Sequence, residues 1–346
     1  MLTNCITTRE SLTQTRKASS DTERIIYYAS LAGSTHNTQP WIADIISDTL
    51  LLVRADFSRK LHVVDPTARG IYISLGAFIE NLCIASEYFG YAPNVFLTAN
   101  SSKDNLVAEI SLKPQERILH EISRLENRAT LRVPFRTDTL SIEHINILTG
   151  QNTASIHYFT LQSEAGRYLS ATNLEAYTQQ ANREDAKEEL ASWIRFSNRD
   201  VKTQRDGLTT SGMGINGISG FMVSRFFKPY DSKKKSFVDA GVNKTLAQTQ
   251  NCAGWLVFTQ PGNTPEDWMN TGRLYQRSHL ECRVLMIGFH PMNQLIEEES
   301  FETQVNETLG LNQPIHLVAR IGYVDTYTEA ISVRREIQSF IRDFRR

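Results

Sequence analysis

One stretch of eight residues carries many uncharged hydrogen-bonding groups and no cation. It reads Ser34-Thr-His-Asn-Thr-Gln-Pro-Trp41 and lies between a run with helical character and a run typical of a strand. Its hydroxyl, amide and imidazole groups could point several donors and acceptors at a flat heteroaromatic ligand. Pro40 fixes its own φ and biases Gln39 toward an extended backbone, which stiffens the stretch. This signature loop (residues 34–41) is either a ligand-binding loop or an ordinary connection in which Asn37 and Thr38 bond their own backbone.

A second group of residues has the types that bind phosphate. Arg128 and Arg132 flank Thr130 at alternate positions. Planar guanidinium groups match phosphate oxygens bidentately, and a hydroxyl can add one more donor. The alternative is a solvated basic turn that pairs with Glu121 or Glu126.

Residues 212–217, Gly-Met-Gly-Ile-Asn-Gly, match the pattern GxGxxG. A dinucleotide site of that kind needs a buried strand before the glycines, a helix after them and an acidic residue about 20 positions later. The preceding segment, 205–211, is not typical of a buried strand. The match therefore favours a flexible segment over a Rossmann site.

The signature loop resembles the loop that marks the nitroreductase superfamily of flavin mononucleotide (FMN) enzymes. More narrowly, it resembles the Acg-like branch, in which two nitroreductase-like halves are fused in one chain. Further segments follow in the order expected of that branch, namely Asp65-Pro66 with 71–91, 128–135, 205–208, 272–288 and 333–335. The resemblance covers most of the chain from about residue 21. It implies an α+β nitroreductase-like fold with two pseudo-dimeric halves, each a mainly antiparallel sheet flanked by helices.

The resemblance also implies one FMN per chain, bound between the halves. The residues it assigns to the cofactor are Ser34, Thr35, His36, Asn37 and Gln39 from the first half, and Arg128, Thr130, Arg132, Met292, Asn293, Gln294, Arg334 and Arg335 from the second. In this assignment the arginines hold the flavin phosphate, and the backbone amides of 291–294 face the flavin N5. The alternatives are a solvated pair of Arg334 and Arg335 with Glu336, and a plain helix-exit turn at 291–294.

Three positions depart from the pattern of the family. Gly33 stands where relatives often have proline, Ala129 replaces the second arginine of the usual pair, and Leu131 replaces a commonly polar residue. The last two differences imply a looser phosphate clamp.

The function implied is that of an FMN-dependent oxidoreductase, which passes hydride from NAD(P)H through the flavin to a nitroaromatic or quinone-like acceptor. An FMN-binding or sequestering protein with a lid-covered flavin and little turnover is the alternative, and an interaction protein without cofactor is a third reading. No residue is assigned as catalytic or as a metal ligand, because His36, His62 and His279 are isolated and each fits a structural histidine. That pattern is typical of flavin chemistry, in which the cofactor carries the hydride.

Composition describes an ordinary globular chain of 346 residues, with 40% hydrophobic and 22% charged residues and a net charge of −1. This charge gives no overall attraction to nucleic acid or anionic lipid, so we expect neither as a partner. No apolar run approaches the roughly 20 residues that span a bilayer, and the first thirty residues contain none typical of a secretory signal. The widely spaced cysteines, Cys5, Cys83, Cys252 and Cys282, are expected to be reduced, which fits a cytoplasmic protein.

Hydrophobic periodicity predicts the elements that position these residues. The first half, 21–113, follows a flexible segment, 1–20. Its predicted elements are a helix at 21–31, a hairpin of 42–46 and 50–53, a helix at 71–89 buried on several sides, and strands at 95–97 and 107–112.

The second half, 114–346, is predicted to repeat this plan loosely. Its predicted elements are helices at 114–127, 164–198 and 267–289, a cationic turn at 128–135, strands at 156–160, 254–259 and 315–323, and an amphipathic tail at 337–344. An insertion at about 200–235 contains the irregular, apolar stretch 207–230, which is expected to form a lid over the site. Because the duplication already makes an internal pseudo-dimer, we expect a monomer or a weak homodimer.

Overall fold

Two sheets and two long helices organise the chain in the computed structural model, which describes residues 20–345. The expected flexible segment lies outside the described residues, except for Ser20. The helices are α1 (Asp21–Ala29), α2 (Arg69–Phe89), α3 (Ser123–Asn127), α4 (Ile142–Thr149), α5 (Glu164–Asn182), α6 (Glu184–Trp193), α7 (Asn198–Gln204), α8 (Gly217–Phe226), α9 (Lys235–Gln250), α10 (Pro265–Cys282), α11 (Gln294–Glu297) and α12 (Glu299–Leu309). The strands are β1 (Trp41–Ser47), β2 (Leu50–Ala55), β3 (Tyr91–Leu97), β4 (Leu106–Pro114), β5 (Ile156–Thr160), β6 (Ile194–Arg195), β7 (Leu208–Thr209), β8 (Gly254–Thr259), β9 (Ile287–Pro291), β10 (Ile315–Tyr323) and β11 (Ile341–Asp343).

The first sheet has the order β11-β1-β2-β4-β3. Its hairpins are antiparallel, whereas β11 runs parallel to β1, so the tail of the chain joins the sheet built by the first half. Buried Asp44 of β1 accepts hydrogen bonds from Arg54 of β2 at 2.7 Å and from Arg342 of β11 at 2.6 Å. These two charge-assisted bonds fix the added strand.

The second sheet has the order β5-β8-β10-β9 and is antiparallel throughout. Every residue of β8 is buried, and so is every residue of β10 except Tyr323, as expected for strands covered on both faces. The α+β fold with mainly antiparallel sheets, predicted from the sequence, is therefore confirmed.

The two long helices α2 and α10 pack against each other between the sheets. A Cβ atom added to Gly76 of α2 would lie 2.0 Å from the carbonyl oxygen of Met269, and one added to Gly272 of α10 would lie 2.0 Å from that of Ile73. Glycine at both positions is thus required for the two backbones to approach this closely. Buried polar contacts complete the interface, since Gln276 donates to Asn81 at 2.7 Å.

Several predicted boundaries in the second half are wrong. The segment 114–127 is helical only in α3, because Pro114 still pairs with Tyr91 in the first sheet. The helix expected at 267–289 ends at Cys282, since β9 pairs with β10 over its last residues. Sheet pairing overrides the local helical pattern in both places.

Two further segments differ from their predicted form, and the tail had no predicted helix or strand. The helix expected at 164–198 is interrupted at Arg183, whose extended backbone separates α5 from α6. The amphipathic tail, 337–344, forms a short 3₁₀ turn and β11. The stretch 207–230 contains the regular helix α8, in which Ile218, Met222 and Phe226 are exposed rather than packed over a site.

The described cysteines are reduced, and the described helices are not suited to spanning a membrane. Cys83, Cys252 and Cys282 are buried free thiols, and Cys5 lies outside the described residues. Across residues 20–345, the helices are all too short or too polar to cross a bilayer.

Candidate functional site

The signature loop leaves α1 with a backbone that few residue types adopt readily. His36, Asn37 and Gln39 have φ values of 49°, 55° and 54°. Asparagine tolerates this left-handed region, whereas histidine and glutamine adopt it at a cost, so contacts elsewhere must stabilise the loop.

Those contacts come from two distant segments. Asn37 donates through Nδ2 to the carbonyls of Gly207 and Val333, both at 3.2 Å, and its Oδ1 accepts from Arg334 at 3.1 Å. Gln39 donates to the carbonyl of Arg205 at 2.9 Å and accepts from the amide of Arg335 at 2.8 Å.

Both side-chain amides are therefore engaged by the chain itself. Cofactor binding by Asn37 and Gln39 stays a prediction, while these hydrogen bonds already engage both side-chain amides. The left-handed backbone of the loop depends on them.

The other residues of the loop keep more hydrogen-bonding capacity. Ser34 Oγ accepts from the amide of Gln39 at 3.0 Å, and the amide of Thr35 donates to Ser74 at 3.4 Å. His36 Nδ1 is buried without a partner. Burial and the nearby positive charge of Arg132 lower the pKa of His36 to about 4, so the ring is neutral at ordinary pH.

Arg334 and Arg128 meet the C-terminal end of α1. Arg334 donates to the carbonyls of Ser30, Leu31 and Ala32 at 2.8, 3.1 and 2.9 Å, and Arg128 donates to Leu31 at 3.2 Å. Carbonyls at this end of a helix lack intrahelical partners and carry partial negative charge. Both arginines therefore stabilise the approach to the signature loop.

The solvated alternatives for these arginines are wrong. Arg128 and Arg334 are both buried. Glu121 pairs with Arg124 at 2.9 Å, and Glu336 pairs with Arg205.

Arg335 also contacts the loop, because its Nη1 donates to the carbonyl of Gln39 at 3.0 Å. Its guanidinium lies 5.5 Å from the ring centroid of Phe340. Arg335 thus bonds the backbone of the loop at Gln39, whereas Arg334 bonds the side chain of Asn37.

The hydroxyl group of Tyr275 lies 3.3 Å from Nδ1 of His279 and is surrounded by positive charge. Burial raises the pKa of Tyr275 in α10, and the charges of Arg128, Arg334 and Arg132 act in the opposite direction. A Cβ on Gly33 would lie 2.4 Å from this hydroxyl and 3.5 Å from Nη1 of Arg128. The glycine at the position where relatives often have proline is thus explained by the approach of Tyr275.

Arg132 belongs to a further group of cations that the sequence did not reveal. Its Nη1 donates to the carbonyl of Gly212 at 2.7 Å. Lys244 of α9 donates to the carbonyls of Met213 and Gly214 in the same segment. Burial lowers the pKa of Arg132 to about 10.

The pKa of Lys244 is lowered as well. Burial, together with repulsion from Arg132 and Arg320, lowers the pKa of Lys244 to about 8. The ammonium group of Lys244 therefore lies in a partly desolvated environment near two other cations, Arg132 and Arg320.

Arg320 lies fully buried in the middle of β10. It donates to His290 Nδ1 at 3.1 Å and to the carbonyl of Val133 at 2.8 Å, and its guanidinium lies 4.0 Å from the ring centroid of Phe135. Burial lowers the pKa of Arg320 to about 9. Burial and the charges of Arg320, Arg132 and Lys244 together lower the pKa of His290.

These residues form what we call the cation cluster, defined as Arg128, Arg132, Lys244 and Arg320. Within the described part of the chain, no carboxylate forms an ion pair with any of the four. Their partners are backbone carbonyls and neutral rings. Buried charges without counterions are costly, so the cluster is electrostatically complementary to an anion.

The remaining predicted residues lie around β9 and the cationic segment. Thr130 is half-buried between Ala129 and Leu131, whose apolar side chains belong to the core. The side chains of Ala129 and Leu131, two of the positions that depart from the family pattern, therefore fill the core.

Residues 292–294 form the turn from β9 into α11. The amide of Met292 donates to Val318 at 2.8 Å, and Asn293 Oδ1 accepts from the amide of Val318 at 2.9 Å. Gln294 Oε1 is buried without a partner. Met292 and Asn293 thus tie the turn to β10, which carries Arg320.

The GxGxxG residues follow β7, a strand of only two residues. Their carbonyls accept from Arg132 and Lys244 instead of presenting amides to a phosphate. A Rossmann site needs a buried strand of a larger parallel sheet before the glycines, whereas β7 belongs to a two-stranded sheet with β6.

A separate cleft of about 590 Å³ opens between residues 58–63 and α6. Its walls mix acids such as Asp185 and Glu188 with bases such as Lys60 and Arg195, and no member of the cation cluster lines it. The cleft therefore has no evident preference for an anion.

Some solved nitroreductases are similar to this chain. One is the FMN-dependent nitroreductase NfnB from Mycobacterium smegmatis in complex with NADPH, with 17% identity, a TM-score of 0.35, and coverage of 58% of this chain and 86% of that one. A nitroreductase-like family protein from Bacillus cereus has 11% identity, a TM-score of 0.32 and coverage of 65% and 96%. A protein assigned as a nitroreductase from Anabaena variabilis has 12% identity, a TM-score of 0.41 and coverage of 79% and 69%.

All three TM-scores are below 0.5, so these similarities do not identify the residues of a binding site in this chain. No family model matches the chain, and no curated protein matches it. The case for a function therefore depends on the residues of this chain.

Lys244, Arg320 and Tyr275 are the members of the site that sequence reasoning missed. Arg320 had a signal, because it is the one charged residue in the otherwise apolar run 315–323. Lys244 lies in a polar helix where nothing distinguishes it from solvated lysines, and only the fold brings it to Arg132.

Proposed function

We propose that the chain is an FMN-dependent oxidoreductase of the nitroreductase type, which takes hydride from NAD(P)H and reduces a nitroaromatic or quinone-like acceptor. The observation that supports this proposal is the cation cluster, four buried or half-buried cations without a carboxylate, beside a loop that resembles the nitroreductase signature. A flavin phosphate supplies the anion that such a cluster lacks.

The members of the cation cluster differ in the number of hydrogen-bond donors that remain available to a phosphate. Arg132 has one hydrogen bond, to Gly212, and its guanidinium carries five N–H donors. Lys244 has an ammonium group that can reorient. We assign the direct phosphate contacts to these two residues, and a supporting electrostatic role to Arg128 and Arg320. Arg320 donates to His290 and to backbone carbonyls. Arg128 bonds Leu31 and His279 through its terminal nitrogens, while its buried Nε has no partner among the described residues.

The signature loop would contribute through His36 rather than through Asn37 or Gln39. His36 Nδ1 is a buried polar atom without a partner among the described residues, and the charge of Arg132 helps to lower the pKa of the ring. An unsatisfied buried polar group costs free energy, which a ligand donor or acceptor would recover.

When bound, FMN supplies the hydride chemistry, and the protein supplies binding, orientation and exclusion of water. The assignment therefore needs no protein acid or nucleophile. The proposed partners are those expected from the sequence, namely NAD(P)H and a small aromatic acceptor. We also propose one flavin per chain and a cytoplasmic protein that is a monomer or a weak homodimer.

One observation favours the second candidate, an FMN-sequestering protein. The segment 205–214 bonds the signature loop through Arg205 and Gly207, and it bonds the cluster through Gly212 and Gly214. A segment fastened on both sides of the site would slow the entry of a second substrate and the release of the flavin.

Purified protein, reconstituted with FMN and freed of excess ligand, tests both candidates. We expect about one flavin per chain from its absorbance. Anaerobic NADPH should bleach that absorbance rapidly, and a nitroaromatic or quinone should restore it. Flavin that stays bound and oxidised would favour sequestration.

Riboflavin provides the matched control, because it has the same ring system and no phosphate. We expect it to bind much more weakly than FMN. Equal affinities would remove the cluster as the reason for binding, and failure to take up FMN at all would contradict both candidates.

A further inference from the structure

Helix α8 exposes one stripe of large apolar residues to solvent, whereas Phe221 and Val223 of the same helix are half-buried. Ile218, Met222 and Phe226 repeat every fourth residue, and their side chains are 72%, 47% and 65% exposed. On the opposite face Gly220 is buried and Ser224 is half-buried. A surface helix normally has the reverse arrangement, with its large apolar residues against the core.

The apolar surface continues past the end of α8. Phe227 and Tyr230, in the turn that follows, are also exposed, with values of 41% and 68%. Single exposed hydrophobic residues are normal on protein surfaces, but a contiguous group marks a site of interaction. We call this group, residues 218, 222, 226, 227 and 230, the α8 patch.

Positive charge surrounds the α8 patch. Residues 217–235 include the cations Arg225, Lys228, Lys233, Lys234 and Lys235 and a single carboxylate, Asp231, in a chain whose net charge is −1. Arg225 and Lys228 are exposed and form no salt bridge within residues 20–345. The lysines at 233–235 pair with acids of α6, of α9 and of their own turn.

We propose that the α8 patch docks on an anionic lipid surface, with α8 lying in the plane of the interface. Exposed isoleucine, methionine and phenylalanine side chains insert at the boundary between headgroups and acyl chains, while arginine and lysine side chains meet the anionic headgroups. Phenylalanine and tyrosine rings suit the same depth.

A second copy of the chain fits the patch less well. In a symmetric dimer the same patch faces itself, so the cations at 225 and 228 of one copy would approach those of the other, and Asp231 is the one carboxylate that the segment 217–235 offers against them. An anionic membrane provides the opposite charge. The proposal departs from the sequence-based expectation of no membrane partner, which was drawn from the net charge of the whole chain.

Co-flotation of the full chain with lipid vesicles tests the proposal without reference to flavin. We expect binding to vesicles of phosphatidylcholine mixed with phosphatidylglycerol, little binding to phosphatidylcholine alone, and loss of binding as NaCl is raised. The double variant Met222→Gln/Phe226→Gln should lower vesicle binding at least about tenfold, and Arg225→Gln/Lys228→Gln should abolish the preference for anionic vesicles.

Phe96→Gln is the matched control, since Phe96 is 66% exposed on β3 and lies outside the patch. We expect it to bind vesicles as the unmodified chain does. Circular dichroism and thermal melting establish that each variant is folded.

Three results would overturn the proposal. The unmodified chain could fail to float with anionic vesicles, or the Met222→Gln/Phe226→Gln variant could float equally well. Light scattering could also show a dimer that this variant dissociates, without vesicle binding, which would assign the patch to a second copy.

Discussion

Asn37 Oδ1 accepts a hydrogen bond from Nη1 of Arg334 at 3.1 Å, between residues 297 positions apart in the chain. The same asparagine bonds Val333 and Gly207, so one side chain joins the signature loop to the tail and to the middle of the sequence. The left-handed backbone at Asn37 depends on partners that are remote in sequence.

Replacing Asn37 should therefore lower stability. Asn37→Ala leaves the buried carbonyl of Gly207 without its side-chain donor and removes one of two donors to the carbonyl of Val333. It also places a residue of poor left-handed propensity at φ 55°. We expect the free energy of unfolding to fall by about 1–3 kcal/mol, measured by urea denaturation.

Asn37→Gly separates the two causes of this loss. Glycine accepts the backbone conformation, so its remaining deficit reports the lost hydrogen bonds alone. Unchanged stability in both variants would show that these hydrogen bonds do not hold the loop.

Arg132→Ala should weaken the binding of FMN. It removes a charge-assisted phosphate contact, for which we expect a loss of about 1.5–3 kcal/mol, or about 10- to 150-fold in affinity. Titration of flavin fluorescence measures this change. Arg136→Ala is the matched control, because Arg136 is exposed and pairs with Asp138 at 2.9 Å; an equal loss in both variants would argue against a specific role of Arg132.

The affinity for FMN should depend on pH through Lys244. Since the pKa of Lys244 in the folded chain is about 8, its ammonium loses a proton as pH rises through that value, and the attraction for phosphate falls. Binding titrations from neutral to alkaline pH should show this decline.

Lys244→Met should flatten that pH profile, whereas Lys235→Met should not, because Lys235 is exposed on the same helix. Stability gives a second readout. Between pH 8 and the ordinary lysine pKa of 10.5 the unfolded chain binds more protons at this residue, so its contribution to stability rises with pH. A pH profile unchanged by Lys244→Met would contradict the assignment.

Alanine at Gly76 or Gly272 should disrupt the contact between α2 and α10. The added methyl group meets a backbone carbonyl at 2.0 Å in each case, and a backbone cannot move as a side chain can. We expect losses at the upper end of about 1–3 kcal/mol, measured as lower melting temperatures. Gly70→Ala, on the same helix, meets the movable Thr35 hydroxyl at 2.8 Å and should cost less.

Glu297 should make stability fall as pH rises. Burial raises the pKa of this carboxyl group from 4.5 to about 7, although Gln180 donates to it at 3.1 Å. Between these pH values the folded chain binds more protons at Glu297 than the unfolded chain does, so its contribution declines with pH. Glu297→Gln should therefore melt above the unmodified chain at pH values over 7 and close to it below 4.5; Glu307→Gln, an exposed control, should match the unmodified chain throughout.

The elements of the first half are well predicted from the sequence, because each has an unambiguous local pattern. The helix at 71–89 and the hairpin after Trp41 are confirmed with shifts of a few residues. The errors in the second half arise where a segment pairs with a strand remote in sequence, as β9 does with β10. Local propensity does not contain that information.

Sequence reasoning assigned Arg128, Arg132 and Arg334 to one ligand, which stays a prediction, and the charges of all three act on the pKa of Tyr275. It could not foresee that Arg334 would stabilise the end of α1. The acceptors there are backbone carbonyls, which every residue has, so they leave no pattern in the sequence. It also could not foresee Lys244, which reaches Arg132 only through the packing of α9.

The parallel pairing of β1 with β11 has a consequence for synthesis on the ribosome. When the first two hundred residues have emerged, β1 still has an unpaired edge, and the loop before it lacks the arginines that hold its backbone. The nascent chain must keep this edge from associating with other strands until β11 has been synthesised. During that interval a chaperone can bind the exposed edge of β1.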